Sequence, residues 1–164
     1  MAVYFLDSSA IVKRYFQEQG YEWIETLHDP AQRHALYIAQ AALVEVVASI
    51  CRKAREQNMP REERDTTIED FRRDVQNTYS VWLVDNALYT AAGDLCRSHR
   101  LRAYDAVQLA CAMAVRGDVL VAQPPEARSS EAEPPDFIFV SADLGLLTIA
   151  RAEGFSIENP NNYS

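Results

Sequence analysis

The chain predicts an α/β fold: a three-layer α/β/α sandwich with a central, mostly parallel sheet of about four to five strands. Three observations carry this. Short apolar runs, Val3–Leu6, Leu36–Ile38, Val81–Val84 and Phe137–Val140, are each followed by a stretch with helical patterning. Strands that alternate with helices imply parallel pairing, and a parallel sheet is covered by helices on both faces. Finally, 164 residues of 48% hydrophobic and 24% charged composition can bury one proper core.

Each element has its own local reason. Val3–Leu6 is a short buried strand, and Ser8 or Ser9 can cap a helix running to about Gln17. Tyr21–Leu27 is a second short helix, stopped by Asp29-Pro30. Leu36–Ile38 is a strand, and a long helix runs from Ala39 to about Gln57. Pro60 opens a charged helix, Arg61–Asn77, whose apolar stripe is Ile68, Phe71 and Val75. Val81–Val84 is the next strand, and Asp85 caps a helix from Asn86 to about His99. Asp105 opens a helix reaching about Arg116, with Gly117 as its stop. Phe137–Val140 is a strand, Asp143–Glu153 a helix ended by Gly154, and Phe155–Ile157 a final edge strand.

Residues 1–164 read as one domain carrying a Pro/Glu-rich loop insertion at about 118–136. Its centre, 122–136, holds four of the seven prolines and four acids against one arginine. No basic, signal-like N-terminal region and no membrane-length apolar stretch are visible. Cys51, Cys96 and Cys111 lack CxxC spacing and suit a reducing compartment, so the expected location is cytoplasmic. The net charge of −8 argues against a nucleic-acid binder at face value, yet local field decides such binding. Lys13 and Arg14 follow Asp7, while Arg100 and Arg102 precede Asp105.

Four carboxylates stand directly against apolar runs: Asp7, Glu45, Asp105 and Asp143. Acids in such places need compensation, from a cation, hydrogen bonds or a helix N-terminus. Asp105, with Gln108 three residues on, also fits a box-like helix cap. Asp143 fits the first turn of its helix behind a Ser141 cap, and Asp7 could bond the following turn. Glu45 is harder to explain by capping, since alanines and valines surround it within its helix. Strand ends of a parallel sheet share one rim, where ligands bind. Together the acids supply an all-oxygen pocket suited to Mg²⁺ or Mn²⁺ rather than zinc.

Other chemistries lack their residues. His28, His34 and His99 have no zinc spacing, and no Gly-x-Gly-x-x-Gly, Walker A or Gly-x-Ser-x-Gly motif is present. An aspartyl-phosphate phosphatase would want an acid two places after Asp7, where Ser9 stands.

Four stretches carry a resemblance: Phe5–Lys13, Ala42–Val46, Leu101–Ala110 and Phe139–Asp143, continuing through Ala150 to Gly154-Phe155. In order and approximate spacing the chain resembles the PIN-domain family, specifically VapC-type ribonuclease toxins of type II toxin–antitoxin systems. Ser141 replaces the more usual threonine, and the 122–136 loop is longer than the family's usual connection. The resemblance implies a PIN-like sandwich and a metal-dependent endoribonuclease. Asp7, Glu45, Asp105 and Asp143 would hold one or two Mg²⁺ or Mn²⁺ ions, supported by Ser9 and Ser141. Lys13, Arg14, Arg100 and Arg102 would steer RNA phosphates. A small VapB-like antitoxin and a homodimer are also implied, with Tyr21–Leu27 and Arg61–Asn77 as contact helices.

Two alternatives stand beside it. A receiver-like signalling domain would accept phosphate on an acid such as Asp85, but needs an acidic pair at the first strand end and a later lysine. The chain offers Asp7-Ser8 and only Lys13 and Lys53. A non-catalytic PIN-like binding module is the other, and the intact acid set argues against it.

Overall fold

In strand β1 (Val3–Leu6), Phe5 and Leu6 are both completely buried, and they belong to two different apolar clusters. Successive strand residues point to opposite faces, so a strand buried on both needs a helical layer on each side. The computed structural model, which describes residues 2–121 and 136–164, has this three-layer arrangement.

Beside β1 lie β2 (Ala35–Ala39) and β4 (Phe137–Val140); β3 (Ser80–Trp82) and β5 (Ser156–Glu158) form the edges. The order is β3-β2-β1-β4-β5, and every neighbouring pair is parallel. One face carries α1 (Ser8–Ile11), α2 (Tyr21–Leu27), α3 (Ala42–Glu56) and α4 (Arg61–Asn77), through Ile11, Ile24, Val46, Ile50, Ile68 and Phe71. The other carries α5 (Asn86–Ser98), α6 (Ala103–Val121) and α7 (Leu144–Ala152), packed on Phe5 and Phe139. Those two rings stack across β1 and β4 at 5.8 Å. The chain leaves β1 toward β2 and returns on its other side at β4, so the sheet order reverses there. A ligand crevice belongs at the strand ends of that reversal.

Several expected boundaries move, each for a local reason. Ala39 pairs with Trp82 and Gln40 N–H donates to the Trp82 carbonyl, so β2 persists and α3 begins at Ala42 instead of Ala39. Glu45 therefore sits in the first turn of α3. The Gln40 side chain accepts from Val84 N–H, and β3 stops at Trp82. The first helix ends at Ile11 and continues as a 3₁₀ turn, Val12–Tyr15. Gly117 does not end α6. No contact crowds it, and the helix continues through it to Val121, so residues 118–121 of the expected insertion are helical. Residues 122–135 of that insertion lie outside the described residues.

Gly20 is required by its backbone. Its φ is +87°, and any side chain there would strike the Pro160 carbonyl. Among the described residues no helix is long and apolar enough to cross a membrane.

Candidate active site

Asp7 follows β1 and caps α1, its Oδ1 accepting from Ala10 N–H at 3.1 Å. The expected cap, Ser8 or Ser9, does other work. Ser9 Oγ donates to Asp7 Oδ1 at 2.7 Å and accepts from Ala142 N–H at 2.8 Å. Because Leu6 pairs with Val140, the residues after β1 and β4 meet, and Ser141 Oγ donates to Asp7 Oδ2 at 3.0 Å. Asp7 is 5% exposed, and burial pushes its pKa up to about 6 against the pull of those hydrogen bonds, with the charge of Glu45 adding slightly.

Asp143 is itself the cap of α7, its Oδ1 accepting from Gly145 and Leu146 N–H. Ser141 does not cap the helix; its hydroxyl accepts from Asp143 N–H. Asp105 lies in the first turn of α6 and is not boxed with Gln108. Arg102 takes that role and more: Nε donates to Asp105 Oδ2 at 2.7 Å and an Nη to Asp143 Oδ2 at 3.2 Å. Gln108 turns inward instead, donating to Glu45 Oε2 at 2.6 Å and to Ser8 Oγ at 2.9 Å. Ser8 Oγ in turn donates to the same Glu45 oxygen at 2.8 Å.

All four acids line one pocket of about 670 Å³ at the C-terminal ends of β1 and β4. They stand in two halves: Asp7 with Glu45, and Asp105 with Asp143 joined by Arg102. Among the described residues, no three acidic, histidine or cysteine side chains converge as a ready metal cluster. The donor chemistry nonetheless fits a hard divalent cation. All donors are carboxylate or hydroxyl oxygens, a cationic group already lies between Asp105 and Asp143, and Asp7 is desolvated with no cation of its own. A larger groove of about 930 Å³ lies between β3, α5 and α6, and Trp82, Leu88, Leu95 and Met113 make its lining mainly apolar.

The expected phosphate contacts divide. Arg102 and Lys13 line the pocket, although Lys13 is buried with its Nζ on Glu18 and the Gln19 carbonyl. Arg14 does not line the pocket: Asp74 and Glu25 hold its guanidinium between α2 and α4. Arg100 is exposed and does not line the pocket. Arg52 and Lys53 do, and sequence reasoning missed them, along with Ser8 and Gln108. The signals were present. Arg52 and Lys53 stand seven and eight places after Glu45 on one helix, hence on its face. Gln108 is a lone amide inside the apolar run Ala106–Ala114.

Comparison with known families gives a single clear result: the PIN domain model matches residues 4–123. The chain belongs to the PIN-domain family. This PIN domain therefore has a fold whose members are generally nucleases. The matched segment includes Asp7, Glu45 and Asp105; Asp143 joins them by geometry. Among solved structures, the chain is similar to VapBC2 from Rickettsia felis bound to a DNA fragment from their promoter. Identity is 12% and the TM-score 0.60, over 96% of this chain and 98% of that one. It is also similar to PAE2754 from Pyrobaculum aerophilum (15%, TM-score 0.58, 98% and 91%) and to FitAcB from Neisseria gonorrhoeae (12%, TM-score 0.60, 96% and 97%). At such identity the likeness is one of fold. No curated protein sequence matches the chain. Family membership, and the position of Asp85 as the cap of α5 outside the acid pocket, remove the receiver alternative.

Proposed function

We propose that this PIN domain is a metal-dependent endoribonuclease, the toxin of a VapBC-type toxin–antitoxin pair. The observation that carries it is the meeting of Asp7, Glu45, Asp105 and Asp143, from four separate segments, in one pocket at the sheet reversal. These residues would hold one or two Mg²⁺ or Mn²⁺ ions. Such an ion supplies a bound water of lowered pKa for attack on the phosphodiester and charge stabilisation for the leaving oxygen. Ser9 and Ser141 orient Asp7 from both carboxylate oxygens. Lys13, Arg52, Lys53 and Arg102 offer cations to the flanking RNA phosphates.

A VapB-like antitoxin partner, a homodimer and a cytoplasmic setting accompany this reading. The fold shared with the VapBC2 and FitAcB structures supports the first. The non-catalytic PIN-like module keeps one observation in its favour: Arg102 already bridges Asp105 and Asp143. Calorimetric titration with Mn²⁺ separates the two readings.

The deciding experiment is RNA cleavage by purified protein with Mn²⁺, followed by sequencing of the new ends. Asp7→Asn and Asp105→Asn should each abolish cleavage while circular dichroism stays that of the unaltered chain. Undiminished cleavage by both variants would refute the mechanism.

A further inference from the structure

The acids account for the pocket's charge but leave Gln108 unexplained. It is 2% exposed, one turn beyond Asp105 on α6, and lines the same pocket. A solvated role is ruled out by its burial, and a helix cap by its inward direction. Its amide has one consistent orientation, because the 2.6 Å contact is with a carboxylate oxygen, and only the NH₂ group can donate to it. The other end of the amide pays for this: Gln108 Oε1 is the one buried side-chain polar atom without a hydrogen-bond partner among the described residues. An unsatisfied buried carbonyl is costly and persists where something else uses the group.

We infer that Gln108 is a positioning residue for Glu45. Together with Ser8 it fastens Oε2 of that carboxylate and leaves Oε1 as the oxygen presented to a cation. The inference rests on the proposed divalent-ion site and adds to it a residue that acts through Glu45. Two donors, from α1 and α6 and themselves joined at 2.9 Å, reach one oxygen at 2.8 and 2.6 Å. That arrangement fixes side-chain rotation more tightly than either bond alone, and supporting partners of this kind are worth 10–100-fold in ion affinity.

The test is a double-mutant cycle read as Mn²⁺ affinity, by electron paramagnetic resonance, on the full chain. Gln108→Met keeps the volume and removes both the donor and the orphaned carbonyl. It should weaken Mn²⁺ binding about ten-fold or more in the unaltered background and less than about two-fold when Glu45→Gln is already present. Its melting temperature should stay level or rise, since a buried unsatisfied acceptor is lost. Equal losses in the two backgrounds, or no loss in either, would overturn the inference, because a residue that only fills space acts independently of Glu45. Should Gln108→Met fail to fold, Ser8→Ala removes the partner donor and enters the same cycle with the same expected pattern. If the unaltered chain binds no Mn²⁺ at all, the ion-site reading fails and this inference falls with it. Firm binding that is indifferent to Gln108 and Ser8 sinks the inference alone.

Discussion

Two side chains set opposite pH responses within one molecule. Asp7 has its pKa raised by burial from 3.8 to about 6. Its neutral form is the one the fold favours, so its contribution is fully present below about 4 and is lost as pH rises toward about 6. His28 is shifted the other way, from 6.5 to about 4, chiefly by burial; its Nδ1–H donates to the Ile24 carbonyl and its Nε2 accepts from the Tyr79 hydroxyl. Its contribution is present above 6.5 and lost as pH falls toward about 4. Between those limits the two slopes oppose each other, and metal-free stability should be nearly flat. His28→Phe should uncover the Asp7 slope, with the melting temperature in EDTA falling as pH rises from about 4 to 6. Asp7→Asn should do the reverse and stabilise the metal-free chain at pH 7, by at most about 3 kcal/mol. A melting temperature for Asp7→Asn below that of the unaltered chain at pH 7 in EDTA would contradict the assigned desolvation. Arg102 supplies a third case. Its guanidinium is largely exposed, so its bonds to Asp105 and Asp143 are weak, yet any ion must displace it. Arg102→Ala should tighten Mn²⁺ binding a few-fold, on the order of 1 kcal/mol, in calorimetric titration; unchanged affinity would place Arg102 outside the ion's surroundings.

Among the elements, α2, α4 and the 3₁₀ turn after α1 are held by one polar staple. Arg14 reaches Asp74 of α4 at 2.8 Å and Glu25 of α2, while the Tyr15 hydroxyl donates to the same Asp74 oxygen at 2.7 Å. Removing the guanidinium would leave Asp74, about a fifth exposed, without its cation. Arg14→Ala should therefore cost roughly 2–3 kcal/mol, near the lower end for a buried pair, or about 5–10 °C in melting temperature for a chain of this size. RNA affinity at a temperature where the variant stays folded should be unchanged; a loss of affinity without loss of stability would restore the phosphate-contact role expected from sequence. The direction Arg14 takes has a reason that applies elsewhere. Adjacency of Arg14 to Asp7 says nothing of direction, and in a tightening turn neighbouring side chains diverge. Patterning within one element was legible: α2 and α4 match their expected limits because Ile24, Leu27, Ile68 and Phe71 bury at helical spacing. Contacts between elements were not. The late start of α3 depends on Ala39 pairing with Trp82, forty-three places away, and Gly117 stays helical because no tertiary contact demands a turn there. The four acids could be read as a set, whereas the partners of Ser8 and Gln108 could not, since both meet Glu45 across 37 and 63 residues of sequence.

For the whole molecule, the proposed ribonuclease role raises the question of how a chain of net charge −8 would hold a polyanion. The pocket lining supplies Lys13, Arg52, Lys53 and Arg102 against Asp7, Glu18, Glu45, Asp105 and Asp143, four cations to five carboxylates. Lys13 and Lys53 moreover share Glu18, and Arg52 faces Glu56 at 3.9 Å. Without divalent ions the pocket thus repels phosphate slightly, and RNA binding in EDTA should be weak. Adding Ca²⁺, as a divalent ion in place of Mg²⁺, should strengthen it by reversing the local sign. Even then only a few cations can meet phosphates directly. Each phosphate neutralised on a single strand contributes about −0.7 to the slope of log affinity against log salt. Four contacts give a slope no steeper than about −3, a loss of some fifty-fold between 50 and 200 mM monovalent salt. Fluorescence anisotropy with a labelled single-stranded RNA measures this directly, with the divalent concentration held constant. A slope beyond about −5 would require more phosphate contacts than this pocket possesses. The extra cations would then have to come from outside it, through a second copy or a different face, and the pocket's own charge would no longer limit which RNA is held.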